Sequence, residues 1–178
     1  DKTGRMQRKV KKRLILNLKK SGITSASVKS ERPELPRVLD VVFQILELLR
    51  YRRHRHHWVR LLVLDFTHAF FNYPTMPEER RYFAARMGKD ILLWLRAPQG
   101  SRGAPLVCGR ALAMAMRMAT ATVERGAANA ATYVDDPLMS IVGDKAQQDL
   151  TVCKIVGCIL AMGYHLAFAK AQDSDVEQ

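Results

Sequence analysis

Two adjacent carboxylates, Asp135 and Asp136, are the residues of this chain best suited to chemistry. Apolar residues 130–134 precede them and apolar residues 138–142 follow, which predicts two short strands joined by a tight turn with both acids at its tip. Because side chains alternate along a strand, one carboxylate should face a cleft while the other flanks it. Neighbouring carboxylates repel each other unless a cation lies between them, and Mg²⁺ binds through a few carboxylates together with substrate phosphates. An acidic pair by itself is equally typical of a solvated turn, so its surroundings must decide.

A third carboxylate, Asp65, follows the apolar residues 58–64, which predict a strand buried on both faces. A carboxylate at the end of a buried strand is costly unless a cation or hydrogen-bond donors satisfy it. The alternative is an ordinary aspartate that ends the strand and caps the next turn. Aromatic-rich residues 66–73 come directly afterwards, and they either pack in the core or supply one ring to a sugar pocket.

A loop with two glycines and two prolines occupies residues 97–105. Small and apolar residues follow it, which predicts a long helix from about Ala104 to Arg125. A glycine-rich loop that leads into a helix can present backbone N–H groups to an anion or a base. A loop of this kind can also be a simple turn.

Three segments in this order resemble the central motifs of the reverse transcriptases of retroviruses and retrotransposons. They are Leu64-Asp65-Phe66-Thr67-His68-Ala69-Phe70-Phe71, Pro98-Gln99-Gly100-Ser101-Arg102-Gly103-Ala104-Pro105 and Tyr133-Val134-Asp135-Asp136. Residues 11–20 resemble the basic fingers strand of that family, and residues 163–172 resemble its later lysine-bearing motif. Five short motifs in the right order and spacing span most of the chain.

The resemblance implies an RNA-directed DNA polymerase that joins a dNTP to a primer 3′-hydroxyl. Two Mg²⁺ ions roughly 3.5–4 Å apart, for which Mn²⁺ can substitute, would clamp the attacking hydroxyl and the leaving pyrophosphate. The metal ligands would be Asp65, Asp135, Asp136 and the carbonyl of Phe66, and the dNTP-binding residues would be Lys11, Lys12, Arg13, Phe70, Gln99 and Gly100. Among these, the Phe70 ring would exclude a ribose 2′-hydroxyl. Lys170 would complete the catalytic set as proton donor to pyrophosphate.

The resemblance also implies an α+β fold with the fingers and palm of a right-hand polymerase. The fingers would comprise residues 1–26 and 73–103, and the palm residues 27–72 and 104–178, with no thumb, connection or ribonuclease H segment. A small antiparallel palm sheet would be covered on one face by helices and would hold the carboxylates on the other. Partners would be an RNA or DNA template with its primer, dNTPs and the remainder of a Pol polyprotein.

Three residues depart from the family pattern. His68 stands where an acid is common, and Asn17 replaces another common acid. Pro137 removes a strand N–H directly after the acidic pair, which an edge strand or a turn tolerates. None of the three removes a predicted metal ligand.

The positive charge of the chain is concentrated at its N-terminal end. The net charge is +12, and residues 1–60 hold 17 Lys and Arg against 5 Asp and Glu, whereas residues 61–178 are balanced. Basic clusters neutralise nucleic-acid phosphates, although many basic segments are merely solvated. Residues 51–57 contain three histidines and three arginines, and these arginines favour a solvated or phosphate-facing loop over a metal site.

The three cysteines, Cys108, Cys153 and Cys158, show no metal-binding spacing and predict buried thiols in a reducing compartment. No apolar run reaches the ~20 residues of a membrane span, which predicts no membrane association. We expect an intracellular protein, in the cytoplasm, the nucleus or a virus-like particle. A first residue other than Met predicts a piece of a longer polyprotein.

Periodicity predicts the remaining elements. Helices are expected at Val38 to Arg50 and from an N-cap at Asp144 through Met162, with Gly163 as the stop. Strands are expected at Arg13 to Leu18, at Ile91 to Leu95 after a turn at Gly88-Lys89, and at Leu166 to Ala169. Residues 77–86 should form a short helical segment that leads into a strand.

Two other functions remain open from the sequence. One is a catalytically inactive or domesticated module, derived from a reverse transcriptase, that only binds nucleic acid. Against it, the three acids, Gln99 and Lys170 are all intact. The other is a primer-independent or RNA-making polymerase on the same palm, which would place polar groups near the sugar rather than the Phe70 ring.

Overall fold

A computed structural model describes residues 14–28, 31–32, 34–51 and 54–175. The helices are α1 (Ile23–Ala26), α2 (Val38–Arg50), α3 (Ala104–Thr120) and α4 (Lys145–Ala161). The strands are β1 (Trp58–Val63), β2 (Ala84–Met87), β3 (Asp90–Leu93), β4 (Ala128–Tyr133), β5 (Asp136–Gly143) and β6 (Gln172–Asp173). Short 3₁₀ turns occupy Ala69–Asn72, Pro77–Tyr82 and Phe168–Lys170. This mixed content confirms the α+β class.

One antiparallel sheet of four strands, in the order β4-β5-β1-β6, forms the centre of the molecule. β1 runs beside β5 in a register that pairs Trp58 with Gly143 and Val63 with Leu138. The end of β1 therefore lies next to the turn that joins β4 to β5. A separate hairpin pairs β2 with β3.

Helices α3 and α4 cover one face of this sheet. The buried cluster joins residues of β1, β4 and β5 to residues of the two helices: Leu62, Ala128, Met139 and Ile141 from the strands, and Cys108, Leu112, Met116, Ala119, Ile155 and Ile159 from the helices. Leu64 and Phe66, directly after β1, continue the same buried side. Because side chains alternate, Asp65 between them projects to the other face.

Helix α2 packs on that other face, beside β4. The amide of Asn129, which alternates with the core residue Ala128, donates to the carbonyl of Gln44 in α2 at 3.4 Å. The predicted bounds of α2 are confirmed, yet Leu48 is its one fully buried side chain. Much of its apolar stripe, including Leu39 and Leu46, is solvent-exposed.

Several other predicted elements are confirmed. Asp144 caps α4 by accepting from the Gln147 N–H at 2.9 Å, while the Gln147 side chain accepts from the Asp144 N–H at 3.1 Å. Gly163 follows the helix in the left-handed region, with φ 84°. The β2–β3 hairpin turns at Gly88 and Lys89, as predicted, after the 3₁₀ turn that starts at Pro77.

Three expectations about strands and helix ends were wrong. Residues 14–18 form no strand, because no described segment pairs with them, and residue 13 lies outside the described part of the chain. The last strand falls at β6 rather than at Leu166 to Ala169, where a single bridge from Leu166 to Phe66 precedes a 3₁₀ turn. α3 ends at Thr120 and not near Arg125. The expectation for Pro137 is confirmed in its second form, because Pro137 lies directly beside the turn, where its missing N–H is tolerable although β5 is an internal strand.

The cysteines agree only in part with the prediction of buried thiols. All three are free and lie in helices. Cys108 is buried and Cys158 is half-buried, but Cys153 is exposed on α4. Within the described ranges, no helix combines the length and the apolar character needed to cross a membrane.

A buried arginine links β6 and α4 to β1. Arg60, only 9% exposed, donates from Nε to Asp173 at 2.9 Å and from Nη1 to Asp149 at 2.6 Å, and its Nη2 pairs with the other Asp173 oxygen. Replacing Arg60 by Leu would leave the largely buried Asp173 carboxylate unpaired. We expect the free energy of unfolding to fall by about 3 kcal/mol in urea titrations. Exposed Arg86→Leu is the control, with a change expected within about 0.5 kcal/mol.

The same pair makes stability pH-dependent. The hydrogen bonds from Arg60 hold the pKa of Asp173 below its ordinary value of 3.8. Because the pKa is lower in the folded state, the stabilisation is complete well above pH 3.8 and is lost as the pH falls below it. The unfolding free energy of Arg60→Leu should therefore decline less over this acid range, and equal declines would contradict a stabilising pair.

Candidate active site

The predicted hairpin forms, and its tip is a two-residue turn. Tyr133 pairs with Asp136, so Val134 and Asp135 make the turn and Asp136 begins β5. Val134 has φ 58°, a left-handed conformation that a β-branched residue rarely adopts. Backbone strain of this kind is concentrated at functional sites.

Backbone pairing brings Asp65 to the same end of the sheet. The register of β1 on β5, extended two residues beyond Val63 and Leu138, sets Asp65 opposite Asp136. The Leu64 N–H donates to the Pro137 carbonyl at 3.1 Å, which supports this extension. On its other side, the Asp65 carbonyl accepts from the Ala167 N–H at 2.8 Å. Two aspartates distant in sequence thus lie opposite each other at the same end of the sheet through strand pairing.

An open cleft of about 850 Å³ lies in front of this edge. Six predicted site residues line it: Asp65, Phe66, Phe70, Gln99, Asp135 and Lys170. Asp136 and Gly100 do not line it, and both are exposed. Lys11, Lys12 and Arg13 lie outside the described residues. The roles proposed for these side chains stay predictions.

The positively charged side chain of Lys170 faces Asp65. The Lys170 ammonium forms an ion pair with Asp65 Oδ2, an oxygen that is itself buried and receives no well-aligned hydrogen bond. The Asp65 side chain is 17% exposed, so its charge calls for such a partner. Asp135 adds a second carboxylate to the same cleft.

This arrangement fits a metal that takes only part of its shell from the protein. In the described part of the chain, no three His, Cys, Asp or Glu side chains are grouped to hold a metal ion by themselves. Mg²⁺ usually binds through one or two carboxylates, completed by waters and substrate phosphates. Asp65 and Asp135 are the two carboxylates that line the cleft, and their roles as metal ligands, like that of Asp136, stay predictions.

Burial is the larger electrostatic effect at the tip, and the charge of Asp135 adds to it. Partial burial, and then the charge of Asp135, raise the pKa of Asp136. Burial behind the hairpin, with a further contribution from Asp135, raises the pKa of the Cys108 thiol to about 12. The thiol is therefore neutral at physiological pH. A cation bound at the tip would relieve the repulsion between the two acids.

Two tyrosines support the floor of the cleft. The Tyr73 and Tyr164 hydroxyls lie 3.3 Å apart, and Tyr164 packs edge-on against Phe66 with ring centroids 5.4 Å apart. Burial and the neighbouring Tyr164 raise the pKa of Tyr73. These contacts fix the backbone that follows Asp65.

Gly100 has a structural reason for being glycine. Its φ is 99°, and an added Cβ would lie 3.0 Å from the Leu16 carbonyl oxygen. The segment around Leu16 therefore packs directly on this loop. The predicted role of Gly100 in dNTP binding is not tested by this contact.

One set of cleft-lining residues was not predicted from the sequence. Residues 92–96, which include Arg96, line it together with Leu14. The available signal was the position of Arg96 three residues before Gln99, between a predicted strand and a predicted loop.

The fold is reverse-transcriptase-like. One similar solved structure is that of the foamy viral protease-reverse transcriptase dRH in complex with double-stranded DNA, with a TM-score of 0.64 and 15% identity over 89% of this chain and 24% of that chain. The native prototype foamy virus protease-reverse transcriptase gives a TM-score of 0.55 and 22% identity over 64% of this chain and 14% of that chain. This chain thus spans a quarter or less of these neighbours. No family model matches it, and no curated protein matches it.

Proposed function

We propose that this chain is the catalytic fingers and palm portion of an RNA-directed DNA polymerase. The observation that carries the proposal is the meeting of Asp65, Asp135 and Lys170 in one cleft of a reverse-transcriptase-like fold. These residues come from three separate segments, and each belongs to a motif that resembles the family. A module that only binds nucleic acid has no need of this combination.

Each residue of the cleft has a separate role in the proposed nucleotidyl transfer. Asp65 and Asp135 hold Mg²⁺, with the Phe66 carbonyl and Asp136 completing its shell, and the metal supplies charge neutralisation for phosphoryl transfer. Gln99 and Phe70 position the base and sugar of the incoming dNTP. Lys170 lies within reach of Asp65, so its ammonium can deliver a proton to the departing pyrophosphate once substrate separates the pair.

The partners follow from this chemistry. They are a primed RNA or DNA template, dNTPs and the remaining domains of a longer Pol polyprotein. The basic residues of the first third of the chain would bind template phosphates, which predicts salt-sensitive binding. An intracellular setting supplies both dNTPs and a reducing environment for the exposed Cys153 thiol.

Primer extension tests the proposal. The longer polyprotein is supplied with a primed RNA template, dNTPs and Mg²⁺, and each added nucleotide is resolved on a gel. Extension that requires Mg²⁺ is the expected result. No extension by the longer polyprotein would overturn the proposal and favour a module that only binds nucleic acid.

Substitution of Phe70 tests which sugar the cleft accepts. Phe70 lines the cleft and packs partly against the core. In Phe70→Val the smaller side chain should admit a 2′-hydroxyl, so the preference for dNTP over NTP, measured as a ratio of kcat/KM values, should fall roughly 10- to 100-fold. A ratio taken within one variant is insensitive to partial unfolding.

The control is Phe43→Val, at an exposed position on α2 outside the cleft. It should keep the wild-type preference. An unchanged preference in Phe70→Val would contradict the role of the Phe70 ring in excluding the 2′-hydroxyl. A preference of the wild type for NTPs would instead favour an RNA-making polymerase.

A further inference from the structure

Arg96 is a cleft-lining cation that the mechanism above does not use. Among the described residues, the ionisable side chains of the cleft are Asp65, Asp135, Lys170, Arg96 and His68. The Lys170 ammonium is neutralised by Asp65. The Arg96 guanidinium, by contrast, makes neither an ion pair nor a side-chain hydrogen bond with any residue that the structure describes.

The backbone that carries Arg96 is held on both sides. Arg96 forms a bridge with Pro74, and the flanking bonds run from the Thr75 N–H to the Leu95 carbonyl at 3.0 Å and from the Ala97 N–H to the Tyr73 carbonyl at 2.9 Å. Such an anchored segment fixes the Cα position and the direction of the Cα–Cβ bond at the edge of the cleft. Binding a ligand there therefore orders the rotamers of the Arg96 side chain and requires no reordering of its backbone.

We propose that Arg96 binds the polyphosphate of the incoming nucleotide. A guanidinium carries a fork of N–H donors that matches phosphate oxygens in pairs, and its charge persists at every physiological pH. The polyphosphate must lie near the carboxylates that hold its metal, and Asp65 and Asp135 line the same cleft as Arg96. The inference rests on the proposed function, since it assigns a residue to the substrate of that site.

Binding measurements without turnover test this assignment. Isothermal titration of the full chain with Mg²⁺–tripolyphosphate, and separately with Mg²⁺–dNTP, compares the wild type with Arg96→Gln. Loss of one charge-assisted phosphate contact should raise both Kd values about tenfold. Arg96→Lys, which keeps the charge but loses the fork, should give a smaller rise.

Arg86→Gln is the matched control. Arg86 is exposed on neighbouring β2, outside the cleft, where its Nε donates to the Gly88 carbonyl at 3.1 Å. It removes the same charge and should leave both Kd values within twofold of the wild type. A third titration, of a fluorescent template–primer, should give equal Kd values for Arg96→Gln and Arg86→Gln.

The outcomes separate the inference from the proposed function. Unchanged tripolyphosphate binding in Arg96→Gln, or no binding by the wild type, would overturn the inference. A loss confined to template–primer would also overturn it, because the phosphate contacted would then belong to nucleic acid. None of these titrations requires nucleotide incorporation, so they can fail while primer extension succeeds, and the reverse.

Discussion

Asp135→Asn should reduce primer extension by about 10³-fold or more while leaving the fold intact. Asp135 is a turn residue at the tip of the β4–β5 hairpin, and its carboxylate faces the cleft beside Asp65. Asn keeps the shape but removes the charge that a hard divalent cation requires. The loss of one preorganised charge at the reacting centre is worth several kcal/mol of transition-state stabilisation.

The control for this prediction is a carboxylate of the same kind elsewhere. Asp90→Asn, at an exposed position on β3, should extend primers at the wild-type rate. Single-turnover extension at saturating dNTP separates the chemical step from weaker substrate binding. Asp136→Asn, next to the turn, should also slow extension. Equal rates for Asp135→Asn, Asp136→Asn and the wild type would exclude a catalytic role for the hairpin.

Lys170→Met should change two properties in opposite directions. Because the ammonium pairs with Asp65 Oδ2, it competes with any metal for that oxygen. Removing it should tighten Mg²⁺ binding roughly fivefold, as for the loss of a partly exposed ion pair. Removing the proton donor should slow extension roughly 10²-fold. A residue that serves only the fold would not combine these two changes.

The Mg²⁺-dependent rise in thermal midpoint measures the first change, since a ligand that binds the folded state stabilises it by mass action. Single-turnover extension measures the second. Lys89→Met, in the exposed β2–β3 turn, is the control and should alter neither. Weaker metal binding in Lys170→Met would contradict competition between the ammonium and the metal for Asp65.

Local sequence signals were sufficient for much of the fold. The Asp144 and Gln147 capping pair and Gly163 mark both ends of α4, because each satisfies backbone groups that a helix leaves unpaired. An apolar run that ends in Asp65 predicted β1, and the acidic pair between apolar runs predicted the β4–β5 hairpin. These features depend on residues close together in the chain.

Features that depend on distant partners escaped prediction. Residues 14–18 have the pattern of a strand, yet without a pairing neighbour they pack as an irregular segment against Gly100. β6 exists because Gln172 and Asp173 reach β1, and Arg60 holds Asp173 there. The apolar residues of α2 likewise indicated a buried face, but in the structure Leu48 is its buried residue, because the way α2 packs on the sheet leaves most of the others exposed.

The candidate site likewise combines features that local sequence predicted with contacts between distant residues that it did not predict. The motifs indicated that Asp65, Asp135 and Lys170 belong together, but not that the lysine pairs with Asp65 in the absence of substrate. Arg96 belongs to none of the predicted motifs, and the bridge that holds its backbone joins it to Pro74, 22 positions away in the chain. Long-range pairing decides such contacts, and sequence periodicity does not record it.

The central claim is that Asp65 and Asp135 jointly hold a divalent cation at the site of nucleotidyl transfer. Anomalous diffraction from crystals grown with Mn²⁺, a primed template and a nonhydrolysable dNTP would locate that cation directly. We expect a Mn²⁺ peak bound by oxygens of both carboxylates and of the nucleotide phosphates. A bound nucleotide whose metal contacts neither Asp65 nor Asp135 would contradict it.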